Sequence, residues 1–325
     1  MSRRPPKLWI LAKPKFIAIA FCLCLLVLFL ATPPLQRLHS PHYGTGTPKE
    51  NPIEDHSEHK VELVVASLNS ENNSWLGEYF SHWHHSIYIV DGHDTLKVPK
   101  NKGREAMVYL TYIIDHYDDL PEIMLFLHAS RWQWHNDDPD YDGYAVLQKL
   151  QLDHIRRSGY VSLRCVWVLG CPVEIRPLEV NANLRENENA ATAYKKAFQS
   201  LFPGKDVPEK IGVTCCAQFA ATRETVRQRA KQEYIGYRDW LLSTELEDGI
   251  SGRIFEYSWH MIFGKDAVHC PQAKDCYCQL FGLCTLECDQ DKCRDRYILP
   301  KYSTLPQGWP LVGWEGEQRA FTGPL

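Results

Sequence analysis

The chain has 325 residues, 36 basic and 40 acidic side chains, a formal net charge of −4 and twelve cysteines. That length suits one large domain with short appendages. Five basic residues (Arg3, Arg4, Lys7, Lys13, Lys15) fall in the first fifteen positions, leaving 31 of the 36 against all 40 acidic ones. The remainder is acidic and has no basic patch with interleaved aromatics, so nucleic acid is not expected as a partner.

The basic residues precede a run without charge, Phe16 to Ala31, closed by Thr32-Pro33-Pro34. Such a run reads as a single membrane segment whose basic flank stays cytoplasmic. The expected order is a cytoplasmic tail (1–15), a transmembrane signal anchor (16–34) and a flexible, Pro- and His-rich stem (35–60). An α/β domain over 61–268 and a cysteine-rich extension over 269–325 follow. A cleaved secretory signal is the alternative for the apolar segment. Either way the bulk of the chain is expected in the lumen of the endoplasmic reticulum or Golgi; the shortness of the apolar run favours such a thin membrane.

Two cysteines, Cys22 and Cys24, lie in the apolar run. The other ten (Cys165, Cys171, Cys215, Cys216, Cys270, Cys276, Cys278, Cys284, Cys288, Cys293) form an even set that reads as a disulfide framework. The six from Cys270 to Cys293 are expected to form three disulfides behind a membrane anchor, with connectivity open; zinc binding in a reducing compartment is the alternative. Asn72-Asn73-Ser74 is a candidate glycan acceptor at Asn72.

In chain order, Val61–Ala66 reads as a buried strand, followed by a helix capped by Asn73 or Ser74 and running to about His82. Ser86–Val90 is a second strand. Leu110, Ile113, Ile114 and Tyr117 recur at helical spacing and make an amphipathic helix of Gly103–Tyr117. Ile123–Leu127 is a third strand, then come a helix at Ala145–Arg156 and a strand at Tyr160–Leu163. Arg185–Ala197 reads as a polar surface insertion. Thr222-Arg223-Glu224 opens a helical region through Leu242, and a last helix spans Arg253–Phe263. Alternating strands and helices predict a doubly wound, mostly parallel sheet with helices on both faces.

In such sheets ligands bind at the carboxyl ends of the strands. Glu71, in the loop after the first strand, has no evident capping duty and is a candidate ligand group. Lys100-Asn101-Lys102-Gly103-Arg104-Glu105 places a glycine and cations at a helix N-terminus, a pattern suited to anions. The third strand ends at His128. Beyond it, His135, Asn136, Asp137, Asp138, Asp140 and Asp142 crowd next to Trp132 and Trp134. Carboxylates and imidazole suit a divalent cation, and tryptophan faces stack on sugars. An Asp-rich structural turn is the alternative. Glu256 and His260 are four apart, so on a continuous helix they would share a face with Asp248 nearby. Glu256, Asp248 or His260 could then serve as a general base.

The stretches NKGREAMVYLTYIIDHYDDLPEIMLFLHAS, WHNDDP, CCAQFA, YRDWL and GRIFEYSWHMIFG resemble fungal members of domain-of-unknown-function family 3431, from about Val61 to Cys284. More loosely, Asn101, Gly103, Arg104, Glu105 and the strand ending Phe126-Leu127-His128 resemble rhamnan-synthesis-type glycosyltransferases of the GT-A class. That likeness implies a Rossmann-like nucleotide-diphospho-sugar transferase fold. Glu71, Asn101, Gly103, Arg104 and His128 would form the donor site, and Glu256 would lie in the base-bearing region. A metal-dependent GT-A enzyme carries Asp-x-Asp directly after the strand; His128-Ala129-Ser130 stands there instead. Asp138-Pro139-Asp140 and Asp140-Tyr141-Asp142 come several residues later. Thus Asp137, Asp138 and Asp140 would meet Mn2+, Mg2+ or sugar, or else Arg104 or Lys102 would take the phosphates without metal. The expected function is transfer of a sugar from a nucleotide sugar to a glycan, lipid or small-molecule acceptor. The rivals are a sugar-binding protein without catalysis, using Trp132 and Trp134, and a metal-dependent hydrolase built on His128, His135 and Asp138.

Overall fold

The computed structural model of the chain describes residues 60–92, 95–179 and 190–325. The expected tail, anchor and stem lie outside these residues. No helix among the described residues is long and apolar enough to cross a membrane.

Five strands form the main sheet: β1 (Val61–Ser67), β2 (His84–Ile89), β3 (Ile123–His128), β4 (Tyr160–Ser162) and β6 (Phe219–Thr222), in the order β2-β1-β3-β6-β4. β1 pairs parallel with both β2 and β3. β6 pairs antiparallel with both β3 and β4. The sheet is therefore mixed, which corrects the expectation of a mostly parallel one. The reversed strand, Phe219-Ala220-Ala221-Thr222, is only four residues long, and nothing local in it marks its direction. A short parallel pair, β5 (Gly212–Val213) with β7 (Val268–His269), lies beside the sheet order as a separate ladder.

Side chains alternate between the two faces, as the strand period of two requires. On β3, Met124 and Phe126 enter one core with Val64, while Ile123, Leu125 and Leu127 enter the other with Leu63 and Val65. Both faces being covered explains why β3 is an unbroken apolar run. The first core holds α2 (Ala106–Asp115), α5 (Ala190–Leu201), α7 (Lys231–Ser243), α8 (Asp248–Glu256) and α9 (Trp259–Ile262). The second holds α1 (Ser74–Tyr79), α3 (Gly143–Gln148), α4 (Leu152–Ser158) and α10 (Ala273–Phe281). A one-turn helix, α6 (Arg223–Val226), follows β6 directly, capped by the Thr222 side chain, which accepts from Thr225 N.

Several boundaries differ from expectation. The helix foreseen at 145–156 breaks between Gln148 and Leu152, where Gln151 N donates instead to Leu280 O of α10 at 2.8 Å. α5 is no surface insertion: Ala193, Tyr194, Ala197, Phe198 and Leu201 are buried at its helical period. The foreseen helix 253–263 also breaks, α8 ending at Glu256 and α9 starting at Trp259.

All ten cysteines beyond Cys24 are paired, but not as three bridges within the tail. Cys278–Cys284 and Cys288–Cys293 are local, whereas Cys165–Cys276 and Cys171–Cys270 join the tail to residues 111 and 99 positions earlier. Cys215 and Cys216, adjacent in sequence, bond to each other. The tail is also packed into the domain: Ala273, Tyr277, Leu280 and Phe281 of α10 are buried in the second core, against Leu125, Leu147 and Ile155.

Candidate functional site

A cleft of about 710 Å³ opens where β1, β2 and β3 end. Its lining includes Glu71, Asn101, Arg104, Glu105, His128, Trp134, His135, Leu169, Cys215, Cys216, Asp248, Arg253 and Glu256. This is the strand-end position at which open α/β sheets bind ligands. The reversed β6 contributes to it. Because β6 begins where β3 finishes, the Cys215-Cys216-Ala217 turn before it arrives at the cleft, and Gln218 Oε1 accepts from His128 N at 3.1 Å.

The turn before α2 is fixed by backbone geometry. Gly103 has φ +66°, and a Cβ there would meet Leu241 Cδ1 at 2.6 Å. Its N–H donates to Asp248 Oδ1 at 3.2 Å, so Asp248 tethers the turn from α8. Arg104 follows in the same left-handed region, at φ +55°. A non-glycine residue there is strained, and such strain gathers at ligand sites. Leu169 (φ +63°) and Cys216 (φ +92°) line the same cleft in the same region of backbone space. Arg104 is exposed on the cleft, but Lys102 is not available to a phosphate: it is buried, and its ammonium donates to Leu246 O at 3.0 Å.

Glu256 ends α8 facing the cleft. Its Oε1 accepts from Cys216 N at 2.6 Å, and Oε2 lies 3.8 Å from Arg253 Nε. Burial raises its pKa, with the nearby Glu105 charge adding to the rise and the Cys216 N–H, Arg253 and His128 opposing it. Burial also pushes Glu105 up to about 7. His128 and His135 stack edge to face with centroids 4.6 Å apart. Burial lowers both imidazoles, His135 to about 2, so both are neutral near pH 7. His128 Nε2 is buried without a hydrogen-bond partner among the described residues, an unusual state for a polar atom beside a cleft. Glu71 lines the cleft too, although its Oε2 accepts from Leu68 N at 2.7 Å and so it does close its own loop.

The aspartate cluster and His260 take no part. Asp137 is buried and accepts from Cys165 N (2.6 Å), Val166 N (3.2 Å) and Tyr277 OH (2.5 Å). Asp138 accepts from Asp140 N and lies near Lys149 and Arg296. Asp140 pairs with Arg319, and Asp142 with Arg131 through two bonds of 2.8 and 2.9 Å while capping α3. The cluster is a structural turn. His260 is buried, with Nε2 on Ala267 O at 3.1 Å, because the break between α8 and α9 ends the shared face with Glu256. Trp132 packs on Arg131 and Phe321 outside the cleft, while Trp134 lines it against His135, centroids 4.2 Å apart.

Residues 63–279 match the family model described as "Protein of unknown function (DUF3431)". The chain belongs to this family. No curated protein and no solved structure matches it. The DUF3431 match spans the cleft's lining from Ser67 to Glu256 and stops short of the last two local disulfides being complete. Three groups of the cleft stand close enough to share a cation: the Cys215 and Cys216 sulfurs and a Glu256 oxygen lie within 4.8 Å of one another. Their sulfurs, however, are bonded to each other and are not thiolate ligands in this state. Among the lining residues not singled out as site candidates are Leu169, Cys215, Cys216 and Arg253. Of these Arg253 carried a legible signal, being a charge three residues before Glu256.

Proposed function

We propose that this DUF3431 protein is a glycosyltransferase anchored by its N-terminal segment and acting in the secretory lumen. The observation that supports it best is convergence: Glu71, Asn101, Arg104, His128, Asp248 and Glu256, from four separate stretches, meet on one cleft at the strand ends. The exposed guanidinium groups of Arg104 and Arg253 suit a nucleoside diphosphate. Glu256, its pKa raised by burial and its carboxylate on the cleft wall, suits the removal of a proton from an acceptor hydroxyl. The acceptor oxygen would then attack the anomeric carbon while the diphosphate departs toward Arg104. Asp137, Asp138 and Asp140 do not fit a Mn2+ or Mg2+ site, since hydrogen bonds and ion pairs within the fold occupy them. Five disulfides agree with an oxidising lumen.

A second reading, sugar binding without turnover, draws on Trp134, whose ring is presented to the cleft. One experiment separates the two. The purified chain is screened against nucleotide sugars for binding and for donor hydrolysis, with manganese and with chelator. Hydrolysis that survives chelator supports the transferase with phosphates held by arginine. Binding of free sugars with no nucleotide binding in any condition overturns it in favour of the second reading.

A further inference from the structure

The Cys215–Cys216 disulfide sits on the cleft wall with an unusual neighbour. Arg164 is buried, 2 % exposed, and donates from Nη1 to Cys216 Sγ at 3.2 Å. Its Nε and Nη2 have no hydrogen-bond partner among the described residues. A guanidinium is permanently charged, and burying one with two idle donors is costly. The cost makes sense if the charge has a partner in another state of the pair. The face of Tyr297 lies 3.9 Å from its Cζ, which fixes the group in place without neutralising it.

We propose that Cys215–Cys216 is a thiol–disulfide exchange centre in which Cys216 departs as a thiolate held by Arg164. A dithiol reductant supplies the electrons. Its first thiolate attacks Cys215 Sγ; a new S–S bond forms, the Cys215–Cys216 bond breaks, and the electron pair leaves on Cys216 Sγ beside Arg164. The second thiolate of the reductant attacks its own sulfur in the mixed disulfide, closing a disulfide within the reductant. Cys215 leaves as thiolate and takes a proton from water. Two electrons have passed to the cysteine pair. A better-stabilised leaving thiolate departs faster, which directs attack to Cys215.

Other charged and titratable groups about the pair are Glu256 and Arg253 on α8, His135 in the loop after β3, and Glu174, which accepts from Gly170 N at 3.1 Å. His135 is neutral, so among these Arg164 alone both touches the sulfur and carries positive charge. Opening the pair also reaches the reaction. Cys216 and Ala217 are held at φ +92° and +48°, a backbone that L residues leave when released. Glu256 Oε1 then loses the Cys216 N–H that holds it. This last consequence rests on the transferase reading; the exchange itself does not.

The test reads sulfur rather than sugar transfer, so its failure is separate from failure of that reading. The full-length chain is exposed to stepwise dithiothreitol, quenched with iodoacetamide and mapped by peptide mass. Exposure alone favours Cys278–Cys284, since Cys284 is exposed while Cys215 and Cys216 are 3 % and 5 % exposed. The expected result is that Cys215–Cys216 opens at about tenfold lower dithiothreitol than Cys278–Cys284. Cys216 alkylation should reach half its rate about one pH unit below Cys284. Arg164→Gln should erase that gap, with an intact Cys165–Cys276 bridge reporting that the variant is folded. Should the variant not fold, the comparison of Cys216 with Cys284 in the unaltered chain still decides. Opening together with or after Cys278–Cys284, or equal alkylation midpoints, overturns the proposal.

Discussion

The stretches 100–105 and 136–142 look alike in sequence, each a short loop dense in charge near the end of a strand, yet they end in opposite circumstances. In the second, every carboxylate is spent. Asp137, Asp138, Asp140 and Asp142 hold backbone amides, a tyrosine, Lys149, Arg296, Arg319 and Arg131. In the first, Asn101 and Arg104 face the cleft, and the left-handed backbone at Gly103 and Arg104 is held in place by Asp248. Charge density therefore does not mark a site. Unspent polar groups on a constrained backbone do, because they are free to exchange water for a ligand.

Substitutions can break or sharpen this contrast. The largest effect is expected in the cleft. Glu256→Gln keeps an oxygen for Cys216 N, so the fold should hold while sugar transfer falls by about 10²–10⁴-fold, measured as turnover of a nucleotide sugar. The aspartate turn should respond the other way. Asp142→Ala strands a buried Arg131 and should cost about 3–5 kcal/mol in chemical denaturation. Loss of activity in Asp142→Ala at temperatures where it remains folded would break the contrast.

A smaller effect of mixed sign comes from Arg104→Gly. Nucleoside diphosphate binding, followed by calorimetry, should weaken about tenfold, while relief of the left-handed strain raises stability by up to about 1 kcal/mol. Next is a pH effect. Glu105 is raised to about 7 in the fold, so between its ordinary value and 7 the folded chain binds more protons than the unfolded one. Its contribution to stability is thus lost as pH rises through that window. Glu105→Gln should flatten the decline in denaturation midpoint from pH 5 to pH 7.5; an unchanged decline would assign it to other groups. The smallest change is Asn72→Gln. Asn72 is exposed, and its Oδ1 accepts from Ser74 N and Oγ, so about 1 kcal/mol or less is at stake. The same variant should lose the mass shift seen on glycosidase treatment if Asn72 carries a glycan.

What was legible in the sequence was whatever depends on neighbours. The apolar runs of β1 and β3 lie where expected, because burial on both faces writes itself into consecutive residues; α2 is shorter than the expected Gly103–Tyr117 and buried from Ala106 to Ile114 on every side, so it is not the amphipathic helix its spacing suggested. Glu71, Asn101, Arg104 and His128 were legible as cleft residues for a related reason: strand ends and the turns after them fix where ligands go; Glu256 was reached through its helical spacing to His260, a partner the break after Glu256 removes. The direction of β6 was not legible, since four small and apolar residues pair equally well either way. Nor was the fate of the aspartates. Arg319, the partner of Asp140, is 179 residues away, and no local pattern announces it. His260 was misjudged for want of one fact, the break at Tyr257 and Ser258, where no proline or glycine signals a stop.

The two long bridges of the tail have a consequence for how the protein is made. During synthesis Cys165 and Cys171 leave the ribosome about a hundred residues before Cys276 and Cys270 exist. For that interval they are free thiols next to a half-built second core, which still lacks Tyr277, Leu280 and Phe281 of α10. Vectorial oxidation would pair Cys165 with Cys171 by default, six residues apart. On the proposed lumenal reading, native pairing then calls for reshuffling once the last segment arrives, and yield should depend on the disulfide isomerase capacity of the compartment in which the chain is oxidised.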